Sequence, residues 1–137
     1  MPAARRDDVF DSKGTHCSAF SYMPERAQGG DQCPAIVMAH GIGSTKDMRL
    51  TAFAELFANA GFVVTLLDYR KLGSSGGEPR DQMLPVEQHD DYRNAITWTQ
   101  LQPEVDPDRI GLWGTPYSAS HVLHLSAFDR RAKAVVA

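Results

Sequence analysis

The sequence predicts an α/β fold built on a mostly parallel sheet, and three observations carry that prediction. Ala35 to Ala39 and Phe62 to Leu67 are unbroken apolar runs without alternation, as strands buried on both faces of a helix-covered sheet must be. Between them, Leu50, Phe53, Ala54 and Phe57 recur at the spacing of a helix with one apolar stripe. A second helical segment then leads to a third apolar run, Arg109 to Gly114, so strand and helix alternate as in right-handed β-α-β units.

Each element follows from its residues. Met1 to Asp8 is polar and reads as a frayed start. Val9-Phe10 and Thr15 to Met23, joined by a Gly14-bearing turn, read as an antiparallel opening hairpin, and Pro24 to Pro34 as a solvent loop. Gly61 ends the first long helix. Lys71 to Pro79, rich in glycine and serine, reads either as a loop that borders a site or as a plain surface loop. A second amphipathic helix is expected over Glu87 to Leu101, with Tyr92, Ala95, Ile96 and Thr99 inward and Asp90, Asp91 and Arg93 outward. Val105 to Asp108 reads as a turn into the next strand, and Ala132 to Ala137 as a further buried strand.

Composition narrows the function classes. With 42% apolar and 23% charged residues, the 137-residue chain has an ordinary globular balance and enough apolar surface for one core. The net charge of −3 is dispersed and no basic run of five occurs, which argues against nucleic acid as a partner. No apolar run reaches membrane length, and none has the form of a secretory signal, so the reading is cytoplasmic with no membrane partner. Cys17 and Cys33 lack metal-ligand spacing and read as two reduced buried thiols; no metal and no cofactor are expected.

The chemistry-bearing stretch is Arg109 to Leu125: a short strand, a tight turn at Gly114-Thr115-Pro116-Tyr117-Ser118, then a helix. Upstream stand His40-Gly41 at the end of the third strand and Asp68-Tyr69-Arg70 with Gly73, Ser75 and Gly77 after the fourth. With Asp106-Pro107-Asp108-Arg109-Ile110-Gly111 before the turn and Ser118 to Leu123 after it, these four motifs in this order resemble the first half of an α/β-hydrolase. The likeness is to the dienelactone-hydrolase-like and peptidase-S15-like group, and within it to the fungal polyketide transferases of secondary metabolism. It runs from about Val9 to Ala137.

That resemblance implies a nucleophile elbow, G-x-S-x-G, whose serine forms an acyl-enzyme with esters, thioesters or polyketide acyl chains. Here the serine position holds Pro116, which has no hydroxyl and a φ fixed near −65°. Ser118 is the nearest substitute, although its place on the helix gives it a different direction. The family oxyanion hole maps onto the Ile42 and Tyr117 amides, with His40 and Gly41 supporting the loop. The family acid and histidine follow the serine in chain order, beyond the sixth strand. His121 and His124 read as packing residues on the elbow helix. The expectation is therefore a single incomplete domain over residues 1–137, truncated after the elbow helix at the sixth strand and silent as an enzyme on its own. Its alternative is a non-catalytic module that binds an acyl or carboxylate ligand, polyketide-derived small molecules included, or a protein partner. The terminal strand, left as an open edge, points to self-association or a partner.

Overall fold

The computed structural model describes residues 3–41, 45–114 and 117–137. Among these residues, six strands and four helices follow in the order β1 (Ala4–Ser12), β2 (Thr15–Met23), α1 (Glu25–Gln28), β3 (Cys33–Ala39), α2 (Leu50–Asn59), β4 (Val63–Leu67), α3 (Pro85–Gln100), β5 (Val105–Gly114), α4 (Ser118–Phe128) and β6 (Ala132–Val136). The strands form one sheet in the order β1-β2-β4-β3-β5-β6. β1, β2 and β4 pair antiparallel, and the pairs β3/β4, β3/β5 and β5/β6 are parallel, as the β-α-β reading requires.

The central strands are buried on both faces, and each face has its own cover. Ala35, Val37 and Ala39 of β3, with Ile110 and Leu112 of β5, join Tyr92, Ala95, Ile96, Val122 and Leu125 from α3 and α4 in one core. On the other face, Met38, Val64 and Leu66 pack with Leu50, Ala54 and Ala58 of α2. The period of two along each strand distributes its apolar run between two cores. Gly61, at φ +104° just beyond α2, takes the left-handed turn that reverses the chain into β4.

Four local expectations are corrected. The start is not frayed throughout: β1 begins at Ala4, which pairs with Met23, and the Arg5 guanidinium lies 4.3 Å over the Phe20 ring. The long edge that β2 offers supplies ladder partners that the polar sequence of β1 does not advertise. Within the Pro24 to Pro34 loop, Glu25–Gln28 form one helical turn that follows Pro24 and is tied back by the Gln28 side-chain Nε2, which donates to the Met23 carbonyl. The α2 stripe is rotated, with Leu50, Ala54 and Ala58 inward and Phe53 half exposed, and Phe53 and Phe57 meet the sheet at its margin, on the Trp113 ring of β5. Asp91 is fully buried, for reasons given with the site. In addition, Pro85 opens α3 two residues early, at the first-turn position that suits a proline, and Val105 to Asp108 belong to β5.

Outside α2, the second face of the sheet is open over β5 and β6. There a trough of about 410 Å³ is walled by Ile36, Phe57, Phe62, Trp113 and Val136, with Gly111 and Ala134 as a low floor. Among the described residues, no helix is long and apolar enough to cross a membrane.

Candidate active site at the strand ends

The parallel strands β3, β4 and β5 all end on one side of the sheet, where loops gather, and α4 starts there. Ligands of open α/β sheets bind at such carboxyl ends. Two of the residues singled out by sequence, Ile42 and Pro116, lie outside the described residues. The others are placed.

His40 follows β3 and is completely buried. Its Nδ1–H donates to the Gly41 carbonyl at 3.0 Å, and its ring meets Tyr69 edge-on with centroids 5.1 Å apart. Its Nε2 has no hydrogen-bond partner among the described residues and stands 3.7 Å from Asp68 Oδ1. Burial pushes its pKa down, and the Asp68 carboxylate only partly opposes this. The neutral ring is thus a wall of the site. Gly41 is buried beside it.

Asp68, at the end of β4, is the anchor of the surrounding loops. Its Oδ1 accepts the Lys46 amide at 2.7 Å, and its Oδ2 accepts Lys46 Nζ at 2.9 Å and the Ser74 amide at 3.0 Å. The segment after β3 and the glycine-rich loop are therefore held by one buried carboxylate. Gly73 is required there: at φ +54°, a Cβ would stand 2.4 Å from Asp68 Oδ2. Ser75 ties the same loop to β2, donating to the Asp68 carbonyl and accepting the Ser18 amide.

Ser118 opens α4 and is completely buried. Its hydroxyl donates to the His40 carbonyl and accepts from the Tyr69 hydroxyl, 2.6 Å away. Gly114 permits this approach, since a Cβ there would lie 2.5 Å from the Ser118 carbonyl oxygen. Tyr117, half-buried with helical φ and ψ, precedes it, and its ring meets His121 edge-on with centroids 4.7 Å apart. The structure thus brings His40, Gly41, Tyr117 and Ser118 together at the ends of β3 and β5.

Behind the site, the second loop residue Arg70 is fixed by Asp91 of α3. Its amide donates to Asp91 Oδ2 at 2.8 Å and its Nε to Oδ1 at 2.9 Å, while Ser12 donates to Oδ1 at 2.7 Å. This replaces the outward Asp91 expected from sequence: helix period alone cannot show that a buried arginine waits on the inner face. Asp90 does face outward, to Lys13 and Arg93.

Sequence reasoning did not single out Lys46, nor Gln88 and His89 of α3, which meet His121. Lys46 is buried, held by its tertiary partner Asp68 and with its Nζ 4.6 Å over the Phe20 ring. His89 carries a weak signal, three residues before Tyr92 on the inner stripe. Among the described residues no group of three histidine, cysteine or acidic side chains has the arrangement to hold a metal.

Comparison with known proteins agrees with this fold. The model of the family described as X-Pro dipeptidyl-peptidase (S15 family) matches residues 13–137. The quorum-quenching protein AidA of Acinetobacter baumannii (strain MDR-ZJ06) is 41% identical over 136 residues, 99% of this chain and 44% of that protein. The thiohydrolase aneE of Aspergillus aculeatus is 39% identical over 103 residues, 75% of this chain and 32% of that protein. Among solved structures, the α/β hydrolase GrgF from Penicillium sp. sh18 superposes with a TM-score of 0.90 at 29% identity, over 96% of this chain and 44% of GrgF. The chain thus spans less than half the length of these relatives, and the fold is the first part of an α/β-hydrolase, as the motifs implied.

Proposed function

We propose, since this chain belongs to the X-Pro dipeptidyl-peptidase (S15) family, that its residues form the N-terminal part of an acyl-handling site and do not turn over esters or thioesters by themselves. The observation that carries this reading is the state of the hydroxyls at the elbow. The nucleophile position holds Pro116. The only hydroxyl at the turn itself whose bonding is described, that of Ser118, is buried and engaged on both sides by His40 and Tyr69. A nucleophile needs an adjacent base and an open approach, and among the described residues Ser118 has neither. Relatives named as a thiohydrolase and as an acyltransferase support an acyl substrate class. In this reading the Ile42 and Tyr117 amides supply the oxyanion donors, with His40 and Gly41 shaping the loop. Free Cys17 and Cys33 support a cytoplasmic setting.

The test is turnover of p-nitrophenyl butyrate and of an acyl thioester, with mass spectrometry for an acyl-enzyme. The expected result is no hydrolysis above the Ser118→Ala background and no acyl adduct on the wild-type chain. An adduct on any residue of it would overturn the reading. A second function, retained binding of an acyl or carboxylate ligand without turnover, is favoured by the buried, fully bonded loop anchors at Asp68. Equilibrium dialysis with a medium-chain fatty acid tests it, and absence of saturable binding would remove it.

A further inference from the structure

The seam between α3 and α4, next to the elbow, holds three histidines in contact. His121 is buried; its Nε2 lies 2.9 Å from Gln88 Oε1 and its Nδ1 2.9 Å from His89 Nε2. A carbonyl oxygen only accepts, so His121 carries its proton on Nε2 and offers the Nδ1 lone pair, to which His89 Nε2–H donates. His89 in turn stacks on His124, with centroids 4.3 Å apart and planes at 12°, and the exposed His124 leans on Phe128.

The closed arrangement limits how much charge the three rings can take. One added proton fits on His89 Nδ1, where the His89–His121 bond survives and is strengthened by charge. Once His89 is charged, a second proton on His121 has only Nδ1 left, and there two N–H groups would face each other across 2.9 Å. A proton on His124 next to a charged His89 puts two cations in stacking contact. The surroundings give little relief. Arg93 adds positive charge near His89, and Asp90, the nearby carboxylate, is already engaged by Lys13 and Arg93. Tyr69 and Tyr117, the remaining titratable neighbours of His121, are neutral rings packed edge-on against it. Consistent with this geometry, burial first and then His89 and His124 push His121 down to about 4, and burial and His124 lower His89.

We propose that His89, His121 and His124 form a proton-sensitive latch: singly protonated or neutral, the stack ties the elbow helix α4 to α3, and loading of a second proton parts the seam and releases Tyr117. Tyr117 is held through its ring contact with His121, so a change at this stack reaches the elbow without a change in the sheet. The latch stands whether or not the site handles acyl groups.

Amide hydrogen exchange between about pH 7 and about pH 4.5, corrected for the intrinsic rate, tests it. The expected result is that amides of Ser120 to Leu125 lose protection as the pH falls while Val37 and Met38 in β3 keep theirs. His124→Gln, an exposed change that leaves the core intact, is expected to move the midpoint of that loss down by about half a pH unit or more. Helix and sheet losing protection together, α4 retaining protection throughout, or an unmoved midpoint in His124→Gln would each overturn the proposal.

Discussion

The Ser118 hydroxyl joins the first strand–loop segment of the site to the elbow helix: it accepts from Tyr69 at 2.6 Å and donates to the carbonyl of His40. Ser118→Ala leaves a fully buried tyrosine hydroxyl without a partner. A loss of about 1–3 kcal/mol in unfolding free energy by urea titration is the expected outcome. Tyr69→Phe together with Ser118→Ala should cost less than the sum of the single changes, because the orphaned group is then gone. Strict additivity would show that the two hydroxyls do not interact.

Asp91 and Arg70 form a buried pair, and Asp91 is fully enclosed. Asp91→Ala removes the partner of a desolvated guanidinium and of Ser12, and is expected to cost about 3–5 kcal/mol, enough to unfold a marginal domain. The neighbouring Asp90→Ala, whose ion pairs face solvent, should cost about 1 kcal/mol or less. Equal losses in thermal melts of the two variants would refute the distinction.

Two glycines of positive φ separate space from backbone conformation. At Gly14, φ +85°, a Cβ meets nothing within 4 Å, and Gly14→Ala should cost about 1–2 kcal/mol for backbone strain alone. At Gly73 a Cβ strikes the Asp68 carboxylate, so Gly73→Ala should cost clearly more and release the contacts of Lys46 and Ser74. Chemical-shift changes at the Lys46 amide, absent in Gly14→Ala, check the mechanism.

Stability should depend on pH through His121. Its folded pKa of about 4 lies below the unfolded value near 6.5, so the unfolded chain takes up the proton first. The contribution is full above about pH 6.5, falls as the pH drops through the window to about 4, and is flat below it. Denaturant midpoints measured across that window should therefore decline, and His121→Gln should show a shallower decline.

β6 is an edge strand, and Val136, 58% exposed, stands at the rim of the apolar trough beside Trp113. We propose that this edge and trough mediate self-association of the isolated chain. Val136→Lys is expected to lower the apparent mass in sedimentation at high concentration, since a charged edge resists pairing. A wild-type chain that stays monomeric would remove the idea.

The sequence by itself determined the sheet. The unbroken runs at Ala35 and Phe62 specify strands buried on both sides, the helical stripes between them specify crossovers, and chain order with the handedness of such crossovers then yields the parallel core. Its motifs also fall at strand ends, where the structure gathers His40, Tyr117 and Ser118, and it places Pro116 where the family resemblance implies a serine. Only the tertiary structure decided which polar residues are buried. Asp91 reads as an outward helix residue until Arg70 is placed against it, and Lys46, which the sequence does not single out, is buried where Asp68 closes on it. Nor does the spacing of His121 and His124 reveal His89, which another helix supplies. The physical reason is range: apolar periodicity is written within a dozen neighbouring residues, whereas a buried charge or a shared proton depends on partners brought together across the fold, here Ser12 with Asp91 and His89 with His121.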